Sequence, residues 1–139
     1  MKLKEIMGQN VETVGPDATL QETAEKMKRR NIGVLPVVEG KTPIGVITDR
    51  DITLRAVASG ADVTKTQVRE VMTREPSFAY EDQTINEACE LMEKNKIRRL
   101  IVLNREGGLV GVLSLNDVTV KGNETRRSAQ VLRKIAAAA

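Results

Sequence analysis

The chain has 139 residues, 40% hydrophobic and 29% charged, with 22 Lys and Arg against 19 Asp and Glu for a formal charge of +3. That composition fits one globular domain or two small ones. With no His, no Trp, one Cys (Cys89) and only Phe78 and Tyr80 as aromatics, it excludes imidazole bases, Ser-His-Asp and Cys-His arrangements, His- or Cys-pair zinc sites and aromatic platforms for single-stranded nucleic acid.

A lone cysteine forms no internal disulfide, which points to a reducing cytoplasm. No apolar run reaches signal-peptide or bilayer length, so the expectation is a soluble, intracellular protein. Charge is unevenly spread. Arg126, Arg127, Arg133 and Lys134 face only Glu124 within residues 122–139, while the preceding chain is balanced; this is a neutral body with a basic tail.

In chain order, Leu3, Ile6 and Met7 make an opening apolar turn. Val11 to Val14 alternates like a short strand, closed by Pro16-Asp17. Thr19 and Glu22 form a capping box that starts a helix with Leu20, Ala24 and Met27 on its apolar face. Val34–Val38 and Ile44–Thr48 are β-branched runs joined by the turn Glu39-Gly40-Lys41-Thr42-Pro43, a predicted hairpin. A second helix is predicted from Asp49 to Gly60, the favoured residue beyond a helix C-terminus. Residues 61–68 link to a second series. Val68, Val71 and Met72 open it, and Phe78 and Tyr80 alternate on its first strand. Thr84 and Glu87 cap a helix carrying Ile85, Cys89 and Met92. A turn at Asn104-Arg105-Glu106-Gly107-Gly108 and a helix from near Asn116 to Gly122 complete it.

The two series are copies. One constant shift aligns Glu5 and Met7 with Glu70 and Met72, and Asp17, Thr19 and Glu22 with Asp82, Thr84 and Glu87. The same shift aligns Met27 with Met92, and Ile32, Leu35 and Val37 with Ile97, Leu100 and Val102. A shift one residue longer aligns Gly45, Val46 and Asp51 with Gly111, Val112 and Asp117. The slip falls in the hairpin turn, where an insertion costs least. A single copy of about 60 residues buries only about 60% of its unfolded surface, so two packed together are expected.

These residues carry a resemblance. The first copy reads Ile32-Gly33-Val34-Leu35-Pro36-Val37-Val38 and Gly45-Val46-Ile47-Thr48-Asp49-Arg50-Asp51. The second reads Ile97-Arg98-Arg99-Leu100-Ile101-Val102, without the proline, and Gly111-Val112-Leu113-Ser114-Leu115-Asn116-Asp117, with Ser for Thr. The pattern resembles the cystathionine-β-synthase (CBS) domain, and the tandem resembles a Bateman module over about residues 1–122, similar to a small stand-alone CBS-pair protein. The resemblance implies an α/β chain of the α+β type, with two pseudo-symmetric β-α-β-β-α repeats packed sheet to sheet. Its expected divisions are 1–60 for repeat 1, 61–68 for the linker, 69–122 for repeat 2 and 123–139 for the basic C-terminal tail. It further implies ligand clefts between the repeats for AMP, ADP, ATP, S-adenosylmethionine or NAD, a homodimer, and a regulatory role without catalytic cofactor or metal.

The residues suggest how such a site works. A hydroxyl at a strand end stands beside the free amides of the next helix, where phosphate is welcome. An Asp three residues on is placed to accept hydrogen bonds from ribose hydroxyls. Thr48 with Asp51 and Ser114 with Asp117 fit those roles. The same spacing is also a plain helix cap. By spacing alone it reads as a cap; within the duplicated frame it reads as ligand binding in the first copy and leaves both readings open in the second. A base is expected against Gly33, Val34, Leu35 and Pro36, although Leu35 also reads as core. Arg98 and Arg99 stand where the first copy has Gly33 and Val34, so the two clefts should differ, with one arginine holding phosphate and the other solvated. Arg50 is a further phosphate candidate, and Asn116 its counterpart.

Cys89, Met27 and Met92 read as core, and Phe78 and Tyr80 as packing residues. Val131, Leu132 and Ile135 have helical spacing, so the tail either adds a helix to a dimer or partner contact or frays through Ala136–Ala139. The leading expectation is a sensor of an adenine nucleotide acting through its dimer or a regulated protein. The alternative is a ligand-free interaction scaffold. Nucleic-acid binding through the tail has four cations and no aromatics behind it, a membrane partner is not expected, and no catalytic set can be assembled.

Overall fold

The computed structural model describes residues 1–74 and 76–137. The chain forms two compact units. The N-terminal unit, Glu12–Pro76, contains α1 (Leu20–Arg30), β1 (Val34–Glu39), β2 (Thr42–Thr48), α2 (Asp49–Asp51), α3 (Val68–Val71) and β3 (Thr73–Arg74). Helix α2 continues as a π-helical stretch, Ile52–Val57. The C-terminal unit is built from Met1–Val11 and the chain from Ser77 on. It contains a 3-10 turn at Leu3–Glu5, β4 (Phe78–Tyr80), α4 (Ile85–Asn95), β5 (Arg99–Leu103), β6 (Leu109–Ser114), α5 (Leu115–Val120) and α6 (Thr125–Ala137).

The duplication is visible in the backbone. Each unit has a three-stranded sheet, ordered β1-β2-β3 in one and β4-β5-β6 in the other. The hairpin β1–β2 shifts register between Val37 and Val38, and β5–β6 between the aligned residues Val102 and Leu103. Both helical capping boxes form. Thr19 Oγ1 accepts from the Glu22 N–H at 3.1 Å, and Thr84 Oγ1 from the Glu87 N–H at 3.2 Å.

The opening turns of the two copies are exchanged. Leu3, Ile6 and Met7 are buried with Ala79, Leu100 and Leu113 in the C-terminal unit. Val68, Val71 and Met72 are buried with Leu35, Val37 and Ile47 in the N-terminal unit. Each turn leads into an edge contact on a hairpin: Gly8 exchanges two backbone hydrogen bonds with Val112, and β3 pairs antiparallel with β2. Glycine makes the approach possible. A Cβ on Gly111 would lie 2.5 Å from Met7 Sδ and 2.9 Å from the Gly8 carbonyl, and one on Gly45 2.8 Å from the Thr73 carbonyl.

Two expectations need correction. Val11 to Val14 is not a strand, since only Val14 bridges, in parallel, to Val37. The neighbouring residue on that edge of β1 is Pro36, which accepts from the Val14 N–H through its carbonyl but has no N–H to return; the ladder stops there. In the other copy Ile101 occupies the position, and β4 pairs along its whole length with β5. Second, the buried face of α1 is Leu20, Thr23 and Met27, and Ala24 is exposed. Thr23 satisfies its hydroxyl on the Thr19 carbonyl at 2.8 Å. The tail's helical spacing is realised as helix α6 of the C-terminal unit, with Val131 buried in the core and Ile135 packed against it.

Helix α6 also explains why Cys89, aligned with exposed Ala24, is buried. It packs on α4 and α5 and covers a flank that α1 leaves open. There Glu93 accepts from Arg127 and from Lys134 Nζ, the latter at 2.9 Å. Burial pushes the Cys89 thiol up, against the opposing effect of Arg127, so it is an inert core group. Met27 and Met92 are buried as expected. Ala138 and Ala139, part of the expected frayed end, lie outside the described residues.

Candidate functional site

In the N-terminal unit, β2 ends at Thr48, whose extended backbone (φ −118°, ψ 162°) turns the chain into α2. Thr48 Oγ1 accepts from the Asp51 N–H, and Asp51 Oδ2 accepts from the Thr48 N–H, both at 3.0 Å. Asp51 Oδ1 lies 3.7 Å from Arg55 Nε. Arg55 in turn donates to the Val71 carbonyl at 2.9 Å, fixing the cation beside that carboxylate. The cap therefore occupies one Asp51 oxygen, and the second meets a positive charge.

The preceding strand supplies the rest of the first-copy set. Val34 pairs with Thr48 and is half-buried, whereas Leu35 and Pro36 are buried. Leu35 belongs to the core cluster with Val37 and Ile47. The Gly33 carbonyl accepts from the Asp49 N–H at 2.9 Å. A Cβ on Gly33 would come within 2.7 Å of Asp49 Oδ2, so the absent side chain makes room for that carboxylate. Asp49 Oδ1 accepts from the Arg50 N–H at 2.8 Å, and the Arg50 side chain is exposed.

The second copy repeats the frame with different chemistry. Ser114 Oγ accepts from the Asp117 N–H at 3.1 Å, and Asp117 Oδ2 from the Ser114 N–H at 2.9 Å. Asp117 Oδ1 is 3.3 Å from Lys121 Nζ, matching Arg55 beside Asp51. Arg99 pairs with Ser114 in the sheet. The Arg98 carbonyl accepts from the Leu115 N–H at 2.9 Å, as Gly33 does from Asp49. Arg98, Arg99 and Asn116 are all exposed. Both arginines therefore face solvent, although strand alternation suggests opposite faces. Arg98 lies just before the strand, where alternation does not apply.

Each unit thus assembles its own hydroxyl, carboxylate and strand-end backbone. Leu35 and Pro36 join the core instead of offering side-chain surface. Three participants escaped the sequence reading: Asp49, Arg55 and Lys121. The signal was present, since a cation four residues after an acid on a helix reads as an ion pair, and an acid directly after Thr48 falls in the helix's first turn. A groove of about 470 Å³ between the Thr13–Ala18 segment and α1, lined by Lys26 and Arg29 among others, shares no residue with this set. Among the described residues no group of His, Cys, Asp and Glu is arranged to hold a metal, and no helix is long and apolar enough to cross a membrane.

Comparison with known proteins agrees with the duplicated frame. The chain is 40% identical over 129 residues to the CBS domain-containing protein YhcV of Bacillus subtilis, covering 91% of each chain. A CBS domain protein of Thermoplasma acidophilum superposes with a TM-score of 0.84 over 96% of this chain and 75% of that one, at 20% identity, and so shares the fold. A CBS domain protein of Pyrobaculum aerophilum, solved in complex with AMP, superposes with a TM-score of 0.82 at 26% identity over 94% of this chain and 99% of that one. The CBS domain family matches residues 3–57 and again 68–121, so the chain belongs to that family and carries two of its domains in tandem.

Proposed function

We propose that the protein is a regulatory module that binds an adenosyl ligand, AMP, ADP or ATP, with S-adenosylmethionine or NAD also within its chemistry, and signals occupancy through a homodimer or a regulated partner. The observation that carries this reading is the strand-end set, repeated in both units: Thr48 with Asp51, and Ser114 with Asp117. Its presence in a relative of the AMP-complexed Pyrobaculum protein supports an adenine nucleotide. Asp51 Oδ1 and Asp117 Oδ1, the oxygens not used in the caps, are the acceptors for a ribose diol. The exposed Arg98 and Arg99 are the cations for phosphate. Gly33 and Val34 offer backbone to the base. Arg50 and Asn116 stand at the helix starts.

In this reading the chain comprises repeat 1 (1–60), a joining segment (61–68), repeat 2 (69–122) and a C-terminal segment (123–139). Its role is binding, not catalysis. The lone buried thiol of Cys89 suits the reducing cytoplasm. Leu54 and Val57 of the N-terminal unit, exposed by 50% and 59%, are the apolar side chains for self-association.

Titration calorimetry with AMP, ADP, ATP, S-adenosylmethionine and NAD(H) tests the proposal. At least one is expected to bind, and Asp51→Ala is expected to abolish the tighter event while costing about 1 kcal/mol of stability through the lost cap. No heat and no thermal shift with any of the five overturns it.

A second reading, a ligand-free scaffold, draws on one specific observation: both strand-end sets are complete capping boxes, satisfying hydroxyl and carboxylate within the helix. Mass spectrometry of small molecules released from freshly purified protein separates the two, since a scaffold releases none.

A further inference from the structure

In each unit the second oxygen of the strand-end carboxylate meets a cation four residues on, but the two cations are held differently. We propose that Arg55 is a transmitting residue: it ties Asp51 to Val71–Thr73, the end of α3 and the start of β3, so that a ligand on Asp51 tightens the hold on that stretch. The chain leaves the N-terminal unit just beyond it, at Pro76. The inference rests on the nucleotide reading above and adds a route of regulation to the same site.

The guanidinium reaches both partners at once. Its Nε lies 3.7 Å from Asp51 Oδ1, while its Nη1 donates to the Val71 carbonyl at 2.9 Å and lies 3.3 Å from Thr73 Oγ1. Neither partner is free to drift. The Asp51 side chain is only 12% exposed, and its other oxygen accepts from the Thr48 N–H at 3.0 Å. Val71 and Met72 are buried in the core of the unit, and Thr73 pairs with Val46 on β2. Because the guanidinium is a rigid planar fork, it cannot turn towards one partner without changing its hold on the other. A ribose diol donating to Oδ1 satisfies the carboxylate. That relieves the pull on Nε and leaves the cation to the Val71 carbonyl and the Thr73 hydroxyl; by linkage, a firmer hold there favours the occupied state.

The C-terminal unit supplies the contrast. Lys121 stands 3.3 Å from Asp117 Oδ1, but among the described residues no side-chain hydrogen bond joins it to Ile6–Gly8, the aligned opening turn. An ammonium on a flexible stem has no second arm of fixed geometry. The helices differ as well: Arg55 lies in the π-helical stretch Ile52–Val57, whereas Lys121 closes the regular α-helix Leu115–Val120. π-Helical turns are rare and recur at functional sites. The coupling is thus a property of one copy and not of the shared frame.

The test is amide-resolved hydrogen exchange of the full chain with and without saturating AMP or ATP, on the wild type and on Arg55→Lys, with calorimetry on the same samples. Lysine keeps a positive charge near Asp51 and loses the fork. In the wild type, ligand is expected to slow exchange at Met72–Arg74 about tenfold more than in the β1–β2 hairpin, since a charge-assisted hydrogen bond is strengthened there. In Arg55→Lys the affinity should stay within about threefold and the excess protection fall below about twofold, because binding survives while transmission does not. Binding without excess protection at Met72–Arg74, or with equal excess in both proteins, overturns the role of Arg55 and leaves the nucleotide reading standing. If the wild type binds neither nucleotide, the nucleotide reading fails and this inference falls with it. Arg55→Met, which keeps the stem and removes the fork, repeats the comparison if the lysine variant unfolds.

Discussion

Glu93 offers the sharpest test of how α6 is held. It is a carboxylate on α4 that receives Arg127 and Lys134 from α6, and Glu93→Gln removes its charge with little change of shape. The Glu93 and Arg127 side chains are only 11% and 19% exposed, so their hydrogen bond falls in the charge-assisted range of about 1.5–3 kcal/mol. Lys134 is 61% exposed, and its pair contributes at most about 0.5 kcal/mol. Glutamine retains one neutral acceptor worth about 1 kcal/mol, and Arg127 keeps its bond to Asn86 Oδ1 at 2.9 Å. The expected loss is about 2 kcal/mol, or about 6 °C in Tm for a chain of this size.

The pH dependence gives an independent check. Hydrogen bonds from Arg127, then from Lys134, hold the Glu93 carboxyl below the ordinary value of 4.5. A depressed carboxylate contributes stability that is fully present above its unfolded pKa and is lost as pH falls through its folded one. The wild-type advantage over Glu93→Gln should therefore be constant above about pH 5 and close on acidification below that value. Urea denaturation of both proteins from pH 3.5 to 7.5 measures this; if the units unfold separately, the C-terminal transition alone should shift. A difference below about 0.5 kcal/mol at neutral pH, or one that ignores pH, would refute the reasoning.

Other consequences of the fold are open to direct measurement. Gly111→Ala and Gly45→Ala each drive a Cβ to within 2.9 Å of a backbone carbonyl that cannot swing away, so each should destabilise by about 2 kcal/mol or more in denaturant titration. Gly15→Ala, with nothing within 4 Å, serves as the control, and an equal effect there would refute the steric account. Leu54→Asp places a charge on the exposed apolar surface of the π-helical stretch. It should shift a dimer towards monomer in analytical ultracentrifugation while leaving the monomer's unfolding within about 0.5 kcal/mol of wild type.

Much of this protein is written locally. The capping boxes at Thr19 and Thr84, the hairpins across Gly40 and Gly107, and the Thr48–Asp51 and Ser114–Asp117 pairs depend on residues three or four apart. Their chemistry is legible wherever such spacing occurs. The duplication made the reading firmer, because each copy checks the other. Periodicity also identified α6 from Val131, Leu132 and Ile135, since an apolar stripe at helical spacing requires a surface to cover.

What tertiary structure decided is which surface covers which residue. Ala24 and Cys89 are aligned and equally apolar in spacing, yet only Cys89 is buried, because α6 lies over one copy and, among the described residues, no such helix lies over the other. The tail's charge reads as free in the sequence, but Glu93, far away in the chain, takes up Arg127 and Lys134. The opening turns at Leu3–Met7 and Val68–Met72 carry the same apolar pattern, and no local rule says that each will complete the core of the other copy's unit. No local rule sets the Asp49 carboxylate beside Gly33. Sequence alone determined the main helices and hairpins, their caps and their twofold repetition, because backbone hydrogen bonds and short-range capping are settled within a few residues. Burial and the ion pairs that hold α6 were settled by contacts between segments distant in the chain, which no local pattern encodes.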